Sequence, residues 1–321
     1  MPRRYSDRAT ACSIISIMSV IAAVSGRARL IFQLAALIAL LVAQQFLAVP
    51  GSGRLAHGLH NSAHGPWFAF VTWLLLLFWS RRYRGWSAVA ITAITCLILA
   101  TLTEVLQKFT GGAPSLGDFA FDLVGATAAL FAWCGRASLL SHRSSYWMAG
   151  LLLMVTPAPI LQALAVEWHR TSIAPDLVRF DSPFQGELIG ANSHAVLVAA
   201  PGGWPIAPKV LKITLADTTW PGVHLDEPIA DWQPYATLAV DIYVEGAQPL
   251  PIIISVRLDN APVDHVYRPF ECAPGPCRLL LPLGGLFDRD RARVNAVVIY
   301  STRDAAGRTL YLGRVALLKA Q

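Results

Sequence analysis

The chain has 321 residues, of which 55% are hydrophobic and only 14% charged, with a formal net charge of +6. A mean hydropathy of +0.48 is too apolar for an ordinary soluble protein and too polar for one that lies wholly within a membrane. The positive charge does not mark a nucleic-acid binder: much of the excess Arg sits in short loops beside apolar runs, with no basic helix or zinc pattern.

The polarity is unevenly distributed along the chain. Long apolar runs broken by short basic loops fill residues 1–168, and charged residues with frequent Pro and Gly fill residues 169–321. Residues 1–29 read as a cytoplasmic amino-terminal segment. Within it, Cys12–Val24 is apolar but short for a membrane span. It has the basic flank of a signal peptide without a clean cleavage site, so it is expected to be retained, and Met18 is an alternative start. A spanning helix needs about 20 apolar residues. Leu30–Val49, Pro66–Ser80, Trp86–Gln107 and Trp147–Trp168 meet or approach that length, and Phe119–Cys134 does so if it starts near Leu116. Residues 30–168 are therefore expected to form an all-α transmembrane bundle of about five spans.

Orientation follows from the loops. Arg3, Arg4, Arg8, Arg27 and Arg29 precede the first span, Arg81, Arg82 and Arg84 follow the second, and Arg136, His142 and Arg143 follow the fourth. Five spans put these regions on one side, which the positive-inside bias makes cytoplasmic. Residues 169–321 are then extracytoplasmic. That half reads as β: Val196–Ala199, Val210–Leu215, Ala236–Val244, Ile252–Leu258, Arg278–Leu283, Val294–Tyr300 and Thr309–Leu318 are rich in Val, Ile, Leu and Tyr and separated by Gly and Pro turns. Short strands at this spacing predict a sandwich or jelly roll. Cys272 and Cys277 flank Ala-Pro-Gly-Pro, and an oxidising compartment would let them pair across that turn.

Polar residues cluster at the predicted outer ends of the spans. His57, His60, Asn61 and His64 precede the second span, Glu104 and Gln107 end the third on one helix face, and Ser115, Asp118 and Asp122 surround the start of the fourth. Ionisable groups at membrane depth are costly and point to function. Bland roles compete: Glu104 can pair with Lys108, Asp118 can cap its helix, and His64 can pair structurally with Glu104. His57 and His60 read as loop residues. His60-x-x-x-His64 has metal-ligand spacing, but Gly65-Pro66 argues against a regular helix there, so no metal or other cofactor is expected.

These residues resemble the VanZ-like family of bacterial membrane proteins over about residues 30–140. The matching pieces are His64, Glu104-Val-Leu-Gln107, Gly112-Ala-Pro-Ser115-Leu-Gly-Asp118 and Asp122-Leu-Val-Gly125. Gly112 stands where the family has Arg, which removes an anion clamp, and Asp122 stands where it has Asn, which adds a second acid near Asp118. The resemblance implies an envelope protein and leaves its chemistry open. Residues 178–319 resemble carbohydrate-binding and galactose-binding-like jelly rolls in Trp220-Pro221-Gly222, Asp231-Trp232-x-x-Tyr235, Arg257-Leu-Asp259-Asn260 and Leu310-Tyr-Leu-Gly313-Arg-Val. Gly313 stands where such modules often carry a calcium-binding Asp. Trp204 and Trp220, in Gly/Pro-rich loops, are candidates for sugar stacking or for core, and Trp232 for core. The expected function is binding, without catalysis, of a membrane lipid or lipid-linked glycan by His64, Glu104, Gln107, Ser115, Asp118 and Asp122, with saccharide at the β domain. The alternative is an enzyme using His64, Glu104 and Asp118 for acid–base work.

Overall fold

A computed structural model describes residues 53–110, 114–206, 208–226, 228–229, 231–258, 266–284, 286, 291 and 294–320. The span expected at Leu30–Val49 lies outside the described residues. Helices α1 (Arg54–Trp79), α2 (Trp86–Thr110), α3 (Leu116–Arg136), α4 (His142–Val155) and α5 (Ala158–Ser172) come first, followed by strands. The chain folds as two compact units, and the division falls inside α5, between Ile160 and Leu161.

In the helical unit, four segments among the described residues are long and apolar enough to cross a membrane, counting α4 with α5 as one. Exposed apolar side chains run along α2 (Ile94, Leu97, Ile98, Leu102, Val105, Phe109), as a lipid-facing surface requires. The exposed Thr101 hydroxyl bonds back to a carbonyl one turn earlier, as do those of Thr92 and Thr95, so Thr101 carries no unmet hydrogen bond into that surface. α3 starts at Leu116, behind an N-cap made by Ser115, whose Oγ accepts the Gly117 and Asp118 amides at 3.1 and 3.3 Å. Asp118 is not the cap. It lies one turn into the helix, because Ser115 is the residue with extended backbone and an oxygen facing the free amides.

α1 corrects the expectation for its first half. It starts at Arg54 and runs through Gly65 and Pro66 without a break, so His57, His60 and His64 lie on a helix and not in a loop. Hydropathy finds only the apolar stretch of a helix, and the polar first turns of α1 escape it. Gly65 is closely enclosed by its neighbours. A Cβ there would sit 2.3 Å from Thr156 Cγ2, and one on Gly125 of α3 would sit 1.9 Å from the Gly65 carbonyl oxygen. Two glycines thus allow α1 and α3 to touch backbone to backbone. Three residues before Gly65, the Ser62 hydroxyl accepts the Ile160 amide at 3.0 Å, satisfying an otherwise unpartnered donor in the first turn of α5.

The second unit is an antiparallel β sandwich of jelly-roll type. One sheet has the order β3 (His194–Ala199), β4 (Lys209–Thr214), β11 (Thr309–Leu318), β6 (Thr237–Val244), β9 (Gly275–Pro282), with β1 (Asp176–Val178) added along β11. The other has the order β2 (Ile189–Ala191), β5 (Gly222–Asp226), β10 (Val294–Tyr300), β7 (Leu250–Leu258), β8 (Val266–Cys272). Alternation sends Leu238, Val240, Ile242 and Val244 of β6 into the core against Leu250, Ile252, Ile254 and Val256 of β7. Trp232 is fully buried there, its indole N–H donating to the Ile229 carbonyl at 2.8 Å.

The expected Cys272–Cys277 disulfide is present, with a Cα separation of 5.8 Å. Cys272 ends β8 opposite Leu250, and Cys277 lies in β9 opposite Ile242. The bond therefore joins the two sheets at their shared turn. Four strands, β1, β2, β5 and β8, have no counterpart among the expected ones. β1 and β2 are three residues each, too short for an alternation signal. β8 contains Pro269, tolerated because β8 is an edge strand.

Candidate functional site

The Gly65–Gly125 contact sets the site. It draws together the residues just before it on each helix, His64 on α1 and Asp122 on α3. The His64 Nδ1–H donates to Asp122 Oδ1 across 2.9 Å, with the side chains 2% and 0% exposed. This pairing places the imidazole proton on Nδ1 and leaves Nε2 as an acceptor. Nε2 is itself buried without a hydrogen-bond partner, as is Asp122 Oδ2. The Asp122-Leu-Val-Gly125 motif thus has a physical reading: the acid holds the histidine, and the glycine one turn later lets the helices come close enough for it to do so.

Around this pair stand the other predicted residues. Glu104 Oε2, near the end of α2, accepts the Ser115 amide at 2.7 Å, so Glu104 ties α2 to the start of α3. This contact takes the place of a pairing with Lys108. Glu104 Oε1 is buried without a partner. Asp118 is 7% exposed, and its Oδ1 is likewise buried and unpartnered. Both Glu104 and Asp118 act electrostatically on His64 and on Asp122, so the four groups form one cluster. His64's direct partner is Asp122; the expected pairing with Glu104 is not made. The reason is geometric, since Asp122 sits directly across the glycine contact. His60 packs edge-on against His64, ring centroids 5.2 Å apart, and also lies within the electrostatic reach of Asp118. Gln107 is one turn beyond Glu104, half-buried on α2. Among the described residues, no three His, Cys, Asp or Glu side chains are arranged to hold a metal ion.

In the β unit the two candidate tryptophans have different surroundings. Trp204 is 7% exposed and lies over Gly313: a Cβ on Gly313 would sit 2.7 Å from its ring. Gly313 is the extra residue of a bulge in β11, where pairing with β6 shifts between Leu312 and Arg314. Trp204 therefore occupies the space that an aspartate side chain would need at 313. Trp220 is 57% exposed and packs edge-on against Tyr300, centroids 5.3 Å apart.

A further aromatic surface, not singled out from sequence, lies on the outer face of the six-stranded sheet. Tyr243 and Tyr311, paired across β6 and β11, meet edge to face at 5.9 Å, with the Lys212 ammonium 5.8 Å over Tyr311. The Tyr311 hydroxyl donates to Glu245 at 2.9 Å, and burial together with that carboxylate pushes its ionisation up. On the same strand as Tyr243, Asp241 is buried, which raises its carboxyl above the ordinary range against the opposing pull of Arg278 and Arg314. Tyr243 and Tyr311 were each visible in the sequence as the single aromatic of its strand, but only strand pairing makes them neighbours.

No protein-family model matches the chain, and no curated protein matches it either. Solved structures resemble it in fold. One is a family 11 carbohydrate-binding module from Clostridium thermocellum, in complex with a β-1,3-1,4-mixed-linked tetrasaccharide (13% identity, TM-score 0.34, 45% of this chain and 95% of that one). Another is an exo-β-agarase (13% identity, TM-score 0.39, 46% of this chain). The match spans only 25% of the agarase's length. Carbohydrate-binding modules of jelly-roll fold are thus what the β unit is similar to.

Proposed function

We propose that this chain is a multi-pass membrane protein of the bacterial envelope, of the VanZ-like type, whose helical unit binds the polar part of a membrane lipid or lipid-linked glycan. The observation that carries the reading is the buried His64–Asp122 pair with unmet hydrogen-bonding atoms on His64, Asp122, Asp118 and Glu104. Buried polar atoms without partners cost about 1–3 kcal/mol each, and a ligand or ordered water meets that cost. The basic loops after α1 and α3 support a cytoplasmic location for those turns and hence an extracytoplasmic β unit on the bacterial cytoplasmic membrane. Domain limits of 30–168 and 169–321 accompany this reading. The β unit binds saccharide or protein, with Trp220 as the exposed stacking residue.

Native mass spectrometry of the detergent-extracted full chain tests this. A retained lipid or glycan is expected, and its loss on Asp118→Asn would assign it to the site. Bare protein from several mild detergents would overturn the reading.

One observation favours a second reading. Asp122 orients His64 through Nδ1 and leaves Nε2 free to take a proton, the arrangement a general base needs. The helical unit would then act on a lipid-linked substrate, with His64 as base and Glu104 and Asp118 as its polar surround. Turnover of a retained lipid-linked ligand that stops in His64→Gln, while binding persists, would decide for this reading.

A further inference from the structure

We infer that the ligand of the helical unit presents a primary ammonium group to the cluster of Glu104, Asp118, Asp122 and His64, an inference that rests on the binding reading above.

Every unmet atom in the cluster is an acceptor. Glu104 Oε1, Asp118 Oδ1 and Asp122 Oδ2 are carboxylate oxygens, each buried without a partner. His64 Nε2 joins them, because the proton on Nδ1 is already given to Asp122. A complementary group must therefore donate hydrogen bonds. A phosphate or carboxylate would add acceptors and negative charge to a site that has both in excess. Among the described residues, the one titratable side chain these carboxylates hydrogen-bond to is His64. The burial of Asp118 and Asp122 makes compensation by a cation the favourable outcome. An ammonium brings positive charge and three donors, against three unmet carboxylate oxygens. A hydroxyl brings one donor and no charge.

The site's place on helices that read as membrane spans suggests two sources for the ammonium. One is an ethanolamine-type lipid headgroup; the other is an amino sugar, free or on a lipid carrier.

The test uses the full chain in detergent, incubated separately with phosphatidylethanolamine, its N-acetylated form, phosphatidylglycerol, and free glucosamine, with bound mass read by native mass spectrometry. Retention of phosphatidylethanolamine about tenfold over its N-acetylated form, equivalent to about 1.4 kcal/mol, supports the inference. The preference should vanish in Asp118→Asn and Glu104→Gln proteins whose circular dichroism is unchanged. Retention of glucosamine but not of either ethanolamine lipid supports the inference and assigns the amino-sugar source. Equal retention of the two ethanolamine lipids, or preference for phosphatidylglycerol, overturns the inference; if that retention still depends on Asp118, the binding reading stands without it. No retention of any probe, with none from the native membrane, overturns both. The wild-type comparison of the two ethanolamine lipids keeps the test decisive even where a variant fails to fold.

Discussion

His64 and Asp122 meet at 2.9 Å because their neighbours one and three residues on, Gly65 and Gly125, let two helix backbones touch. The hydrogen bond and the helix contact are one feature, and each end can be broken separately. Replacing His64 with Ala leaves the Asp122 carboxylate buried without its partner. Loss of one member of a buried pair typically costs about 3–5 kcal/mol. His64→Ala should therefore lower the melting temperature in detergent much more than Leu151→Ala on the exposed face of α4. Equal effects would mean that the pair contributes little.

Gly125→Ala tests the other end. Its Cβ would stand 1.9 Å from the Gly65 carbonyl oxygen, a backbone atom that cannot rotate away. The helices must separate, at a cost of at least about 1–3 kcal/mol for overpacking, and His64 must lose its grip on Asp122. Bound lipid and thermal stability should fall together. Gly150→Ala, where an added methyl meets nothing within 4 Å, is the control and should leave both unchanged.

Trp204 and Trp220 should respond in opposite ways. Trp204→Ala opens a hole over Gly313 and should destabilise the β unit by about 3–5 kcal/mol. Gly313→Asp should also destabilise it, since the new side chain meets the Trp204 ring, and added calcium should not restore stability. Trp220→Ala should leave the unfolding transition in place and weaken binding on a glycan array. A Trp220→Ala protein with undiminished glycan binding would shift attention to Tyr243 and Tyr311.

The Cys272–Cys277 bond closes a short loop, so its entropic contribution should be about 2 kcal/mol. Replacing both with Ser should lower β-unit stability by that amount and leave the helical unit unaffected. In denatured, unreduced protein from native membranes, thiol labelling should reach Cys96 and Cys134 and miss Cys272 and Cys277. Labelling of the latter pair would place the β unit in a reducing compartment.

Alkaline phosphatase fused after Gln321 should be active in a bacterial host, and a fluorescent protein that folds only in the cytoplasm should be dark there. The basis is Arg81, Arg82 and Arg84 after α1 with Arg136 and Arg143 around the α3–α4 turn. The reverse pattern would invert the proposed orientation.

Composition and periodicity alone determined the larger divisions of this protein. An apolar helical half precedes a β half, seven of the strands lie where Val, Ile, Leu and Tyr are concentrated, and Cys272 pairs with Cys277 across a turn. These are local properties: a run length, a period, a loop of a few residues. The sequence also placed polar side chains near one another in α1, α2 and α3, because chain ends joined by a short loop must be neighbours. It could not say which acid takes His64. That depended on where two helices touch backbone to backbone, and so on Gly65 and Gly125, residues 60 positions apart whose contact no local pattern encodes. Trp204 and Trp220 look alike in sequence, each in a Gly/Pro-rich loop. Only the packing of the sheet, with a bulge at Gly313 that makes room for one indole, buried the first and left the second in solvent.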